Sequence, residues 1–179
     1  LFYEPSYYLS HPLEILKVWN GGLASHGAAI GILISLYIYA KKNSNIDYIW
    51  IVDRIVIVVA LAGFFIRLGN FFNSEIIGLP SDLPWAVVFH RIDNIPRHPS
   101  QLYESITYLF IFITLWFHYN KHKEKTTRYA LFSRFLILIF SARFLLEFTK
   151  ENQSLFENGM VLNMGQLLSL PLIILGIVL

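Results

Sequence analysis

YIWIVDRIVIVVALAGFFIRLG, residues 48–69, decides what kind of protein this is. Its 22 residues hold three charged side chains, Asp53, Arg54 and Arg67, in an otherwise apolar run. At ~1.5 Å per residue a helix of this length matches a ~30 Å hydrocarbon layer. Inside lipid the backbone must satisfy its own hydrogen bonds, so the run reads as a helix and not as a strand. Four further windows of similar length and character lie at residues 23–40, 102–119, 129–148 and 162–179. The expected fold is therefore all-α: a polytopic transmembrane bundle with five spans, forming one domain over residues 1–179. Residues 9–20 (LSHPLEILKVWN), with Lys17 and Trp19 beside helically spaced apolar positions, read as an interfacial amphipathic segment.

The composition agrees. Hydrophobic residues make up 55% of the 179 and charged ones 15%, and the mean hydropathy is +0.53. A soluble domain carries about 25% charge. Disorder, a collagen-like repeat and a nucleic-acid-binding domain are excluded, and the net charge of +2 leaves no broad phosphate-binding surface. There is no cysteine, hence no disulfide, no thiolate nucleophile and no cysteine-ligated metal. The chain starts at Leu1, not Met, and stops in an apolar run, as expected of a piece of a longer protein.

Charge bias orients the spans. The loops at 41–47 and 120–128 carry Lys41, Lys42, Lys121, Lys123, Lys125 and Arg128, whereas those at 70–101 and 150–161 carry Arg91, Arg97 and Lys150. The positive-inside rule places the first pair in the cytoplasm, with the N-terminus of this chain outside and its C-terminus inside. The long proline-containing connection at 70–101 then faces outward, and a loop of that length is expected to serve function.

Ionisable residues within spans are costly and call for a reason. Arg54 and Arg134, near the expected cytoplasmic ends, read as snorkelling arginines, while Asp53 is too short to snorkel far. At the outer ends four segments bring polar groups to one depth: His26 in SHGAAIG, Arg67 and Asn70 in IRLGNFFNSE, Arg97, His98, Gln101 and Glu104 in RHPSQLYE, and Arg143 and Glu147 in SARFLLEF. Singly each has a plain structural account. Asn70 is a candidate helix C-cap, His98-Pro99-Ser100 a candidate N-cap turn, and Arg143 and Glu147, four apart, a candidate ion pair. Together they describe a site for an anion. Arginine grips phosphate with a planar fork, the abundant anions at this depth are phospholipid headgroups, and an imidazole can accept a proton at neutral pH. Asn70, Asn73 and Ser100 add neutral hydrogen bonds. No HExxH, GxSxG or carboxylate cluster with Mg²⁺ spacing is present.

The same stretches resemble the bacterial prolipoprotein diacylglyceryl transferase family. RLGNFFNSEIIG (67–78) resembles its signature RLGNFINGExxG, HGAAIG (26–31) its HGG-containing segment, and RHPSQLYE (97–104) matches throughout. ARFLLEF (142–148) and NMGQLLSLP (163–171) follow in order. Ile66 and Ser74 stand where glycine is usual, and Ala28 where a second glycine follows the histidine. The resemblance implies seven spans in the whole protein, in the bacterial inner membrane. It implies transfer of a diacylglyceryl group from phosphatidylglycerol to the lipobox cysteine thiol of a prolipoprotein, the first step of lipoprotein maturation, with glycerol-1-phosphate leaving. The substrate supplies the thiol, and no metal or organic cofactor is implied.

On that reading Arg67 and Arg143 bind the lipid phosphate, and Asn70, Asn73 and Glu75 shape the polar pocket. His26 is the preferred base, or else it hydrogen-bonds the headgroup. Glu147 orients Arg143 or takes the thiol proton itself. His98 and Glu104 are secondary candidates. The competing reading is a small transporter or channel that uses the outward Arg/His cluster as an anion or proton relay. It requires polar residues along a whole path, whereas ILISLYIYA and LFIFITLWF are apolar.

Overall fold

A computed structural model describes residues 10–11, 25–43, 45–151 and 160–179. The amphipathic segment expected at 9–20 lies outside the described residues apart from Ser10 and His11. The chain is mostly helical: α1 (Ser25–Lys42), α2 (Tyr48–Asn73), α3 (Ser100–His122), α4 (Ala130–Leu146) and α5 (Met164–Val178). Short 3-10 turns follow α3 and α4 at Lys123–Lys125 and Glu147–Thr149, and a two-residue ribbon pairs β1 (Val87–Val88) with β2 (Pro96–Arg97). Each helix falls on one expected apolar window, with α1 shifted by two residues and α4 and α5 shorter than theirs. Among the described residues one helix, α2, is both long and apolar enough to cross a membrane, and α5 is apolar but shorter. Helices α2 and α3 extend past their windows by polar turns, since hydropathy registers lipid contact whereas a helix continues until its caps end it.

Two compact units are present. In Leu1–Tyr48, the Tyr48 hydroxyl donates to the Leu33 carbonyl (3.4 Å) and the Tyr37 and Tyr48 rings meet edge to face. Ile49–Leu179 holds the main core, built from Val56, Ile57 and Ala60 of α2, Tyr108, Ile111 and Leu115 of α3, and Leu131 and Ile139 of α4. The residues follow the i, i+3, i+4 spacing that buries one helix face. Small residues set the closest approaches. A Cβ at Gly63 would lie 2.9 Å from the Tyr108 ring, and one at Gly176 would lie 2.9 Å from both Ile137 Cγ1 and the Ser133 carbonyl.

The charged residues of the α2 start have structural partners. Asp53, 2% exposed, accepts hydrogen bonds at Oδ1 from the amides of Leu131 (3.1 Å) and Phe132 (2.9 Å). It caps the N-terminus of α4 from a neighbouring helix, satisfying donors that every helix start leaves open. Arg54 lies over the Trp50 ring at 3.9 Å and contacts Glu124 at 3.6 Å, so it is paired and not simply snorkelling. Arg134 donates to His118 Nε2 at 2.7 Å.

Candidate active site

Helix α2 does not stop at Gly69. It runs to Asn73 and closes with the Ser74 amide on the Phe71 carbonyl (3.1 Å) and the Glu75 amide on the Asn70 carbonyl (2.9 Å). This paired closure needs a left-handed residue just past the helix. Ser74 takes that role with φ 58°, and Ile76 follows with φ 54°. Both are L-residues in a region glycine enters freely, and a β-branched residue there is strained. The Asn70 backbone thus belongs to the helix closure while its side chain is left to the site.

Four charged side chains meet behind this turn. Arg67 Nε lies 2.9 Å from Glu104 Oε2, Lys150 Nζ lies 2.8 Å from Glu104 Oε1, and the same amine lies 3.0 Å from Glu147 Oε2. Glu104, Glu147 and Lys150 are all buried. The chain of contacts joins the end of α2, the start of α3 and the end of α4, and its two cations balance its two carboxylates. Burying such charges is tolerable only when each is paired. The Arg67–Glu104 contact has the distance of an ion pair without hydrogen-bond alignment, since Glu104 Oε2 has no hydrogen-bond partner. Arg67 Nη1 donates to Asn70 Oδ1 (3.3 Å), and Asn70 Nδ2 donates to Glu75 Oε2 (2.5 Å).

Arg143 is the added cation. Tyr108, on α3, is within electrostatic reach of Arg67, Glu104 and Arg143. Arg143, unlike Arg67, makes no salt bridge among the described residues; the four paired charges balance internally, and Glu75, joined through Asn70, adds a third carboxylate at the Arg67 edge. The expected Arg143–Glu147 pairing is replaced by Lys150–Glu147: a 3-10 turn begins at Glu147, and its i+3 position returns Lys150 to the carboxylate. Gly165 at the start of α5 makes room, for a Cβ there would meet the Glu147 carboxyl carbon at 2.6 Å. An Asn163–Gln166 capping box fixes that helix start.

Other expected residues divide. Gln101, fully buried, donates to the Glu75 carbonyl (2.6 Å) and so ties the strained turn to α3, while its Oε1 has no partner. Asn73 is exposed and joins none of these contacts among the described residues. His98 is a turn residue: its amide bonds to Leu79, its Nδ1 lies 3.4 Å from the Tyr103 hydroxyl, and its carbonyl would be 2.2 Å from a Cβ at Gly78. Pro99, with no side-chain cap bond, precedes α3, and Ser100 bonds instead to Thr149 (2.8–2.9 Å). Arg97 is not available to an anion. It is clamped by Asp93 (2.6 Å), Glu151 (2.7 Å) and the Gly78 carbonyl (3.1 Å). Hydrogen bonding from Arg97, helped by the Ile95 amide, holds the Asp93 carboxyl below the usual range. His26 lies in α1 by backbone, and its side chain is outside the described residues.

Sequence reading missed Lys150. It counted only as a loop charge, and no hydropathy signal reveals that a 3-10 turn buries it. Its spacing from Glu147 is the one available clue.

Comparison with known proteins matches the whole chain, residues 1–179, to the family model described as prolipoprotein diacylglyceryl transferase. A protein of Tolumonas auensis named phosphatidylglycerol–prolipoprotein diacylglyceryl transferase is 50% identical over 100% of this chain and 69% of its own length. Proteins of the same name from Chloroherpeton thalassium (50% identical, 99% of this chain, 66% of theirs) and Bacteroides fragilis (46%, 99% and 68%) are similar. The chain thus spans about two thirds of the length of these relatives. It belongs to the prolipoprotein diacylglyceryl transferase family.

Proposed function

We propose that this protein transfers the diacylglyceryl group of phosphatidylglycerol to the lipobox cysteine of prolipoproteins, with the chain embedded in the bacterial inner membrane as five spans, N-terminus outside. The observation that carries the reading is an Arg143 with no salt bridge among the described residues, near an Arg67 held by Glu104 and Asn70. A guanidinium without a carboxylate partner keeps its donors for a phosphate, and Arg67 supplies a second cation at a fixed position.

The reaction forms a carbon–sulfur bond at the glyceryl carbon and breaks the carbon–oxygen bond to phosphate. The electron pair leaves with glycerol-1-phosphate, which gains a second negative charge, and the thiol proton goes to a base. Guanidinium groups aimed at that developing charge stabilise the transition state more than the ground state. Arg67 and Arg143 have this role; Asn70 and Glu75 set the Arg67 edge of the pocket, with Asn73 at its rim. The acceptor thiol, with a reference pKa near 8.5, needs a base. Glu147 is already engaged by Lys150 and walled by Gly165, which favours His26 for that step.

The test is steady-state transfer of labelled diacylglyceryl to a lipobox peptide, with phosphatidylglycerol titrated. Arg67→Lys keeps the charge but loses the fork, and kcat is expected to fall about 10²-fold or more with a smaller change in KM. Near-normal turnover would overturn the phosphate assignment, and no transfer by the unaltered protein would overturn the reaction itself.

A further inference from the structure

At the end of α3 remote from Glu104, 14 residues or ~21 Å along the helix, a second polar site opens. A cavity of about 240 Å³ is lined by His118 and His122 of α3, by Lys125, Thr126 and Thr127 of the connection, and by Arg134 of α4. No carboxylate lines it. The nearest acids have other partners: Glu124 is on Arg54 and Trp50, and Asp53 is on the α4 amides.

The hydrogen bonds within the cavity fix its donors. Arg134 can only donate, so His118 Nε2, 2.7 Å from Nη1, is an acceptor and the ring is neutral with its proton on Nδ1. The other bond of Arg134, to the Ala130 carbonyl (3.4 Å), also uses Nη1. Nε and Nη2 therefore have no partner among the described residues, and this is an edge of guanidinium that can hold two oxygens at once. His122 Nδ1 donates to the His118 carbonyl (2.9 Å), which leaves its Nε2 open. Thr126 donates its hydroxyl to the Lys123 carbonyl and Lys125 makes no ion pair among the described residues. A guanidinium edge and an ammonium without a counter-charge suit a tetrahedral oxyanion.

We propose that this cavity binds the phosphate of an anionic phospholipid, as a site separate from the one around Arg67. The phosphate lies on the Nε–Nη2 edge of Arg134 with Lys125 beside it. A lipid-borne phosphate fits better than a free one because Trp116 and Phe117 of α3 and Leu138 of α4, one turn from the cavity, are exposed apolar side chains along which acyl chains can lie. The inference needs none of the catalytic reading.

Native mass spectrometry of the detergent-purified protein tests it, on an Arg67→Gln background that weakens the first site. Phosphatidylglycerol, diacylglycerol and inorganic phosphate are the probes. Retention of one phosphatidylglycerol per chain, and its fall by about tenfold or more on adding Arg134→Gln and Lys125→Gln, is the expected result, a tenfold change corresponding to about 1.4 kcal/mol. Arg134→Lys should fall between. Both side chains are exposed, so melting temperature should be unchanged and folding is not confounded. Retention unaffected by the substitutions, or equal retention of diacylglycerol, overturns the site. Displacement of the lipid by millimolar inorganic phosphate overturns the lipid assignment in favour of a soluble phosphate compound.

Discussion

The two ends of the α2–α3–α4 core treat charge in opposite ways. At the Glu104 end, cations and carboxylates are buried together in pairs, and Arg143 is a cation without a salt bridge among the described residues. At the His118 end the buried acid Asp53 is turned inward to cap α4, and the cations around Arg134 face a cavity without a counter-charge among the described residues. The first arrangement holds guanidinium groups rigidly at a fixed position, as chemistry on a phosphate requires. The second leaves them available and loosely held, as suits binding alone. Placement of the carboxylates, more than the number of cations, separates the two.

The sharpest way to break the comparison is to remove the shared cation of the compensated end. Lys150→Met leaves Glu104 and Glu147 buried with no amine between them, and stability should fall by about 3–5 kcal/mol. Adding Glu147→Gln should recover part of that loss, since one carboxylate charge goes with the lysine. Denaturant unfolding in detergent measures both. A loss below about 1 kcal/mol for Lys150→Met would mean the amine is not a buried counter-ion.

At the opposite end Asp53→Ala removes a cap and not a counter-ion, so the expected loss is smaller, about 1–2 kcal/mol. Diacylglyceryl transfer should persist once the protein is folded, because Asp53 touches only α4 amides. A loss of turnover without loss of stability would sink the reading of Asp53 as a cap.

The same contrast explains what could be read in advance. Apolar windows locate helices well because lipid-facing and core-facing residues are both hydrophobic, and α1 to α5 lie where those windows do. The ends were less legible. Hydropathy placed the end of α2 at Gly69, whereas the closure that ends it uses Ser74, an unfavourable residue for the conformation it adopts. The RLGNF and RHPSQLYE stretches pointed to Arg67 and Glu104 as neighbours in function, but nothing in their spacing shows that one carboxylate faces one guanidinium. Asp53, too short to snorkel far, had no account in the sequence because its partners, the amides of Leu131 and Phe132, are backbone groups 78 and 79 residues away. Backbone acceptors and donors leave no mark in the amino-acid sequence. Lys150 was illegible for a related reason: burial of a lysine depends on a turn whose type the sequence does not declare.

The smallest expected effect concerns a third arrangement, the Arg97 clamp in the 74–99 connection, where the charges are paired yet partly open to solvent. Arg97 is buried, but Asp93 retains 26% of its side-chain exposure. Hydrogen bonding from Arg97 lowers the Asp93 pKa from its ordinary 3.8. A carboxyl whose folded pKa is depressed adds stability that is fully present above the unfolded value and is lost as pH falls through the folded one. The contribution should therefore be intact at neutral pH and down to about pH 5, begin to fall as pH approaches 3.8, and be fully lost only below the lowered folded pKa. Because the group is exposed to solvent, the effect is local and screened by salt. The measurement is hydrogen exchange of the ribbon amides of Val87, Val88 and Arg97 between pH 3 and 6, corrected for intrinsic rates and compared with Asp93→Asn. The unaltered protein should lose protection on the acid side, while Asp93→Asn should be weakly protected and flat throughout. An acid loss of equal size in both proteins would assign the pH dependence to Glu151, the other carboxylate on Arg97, and would make the clamp depend on the contact to α4's far side more than on its own loop.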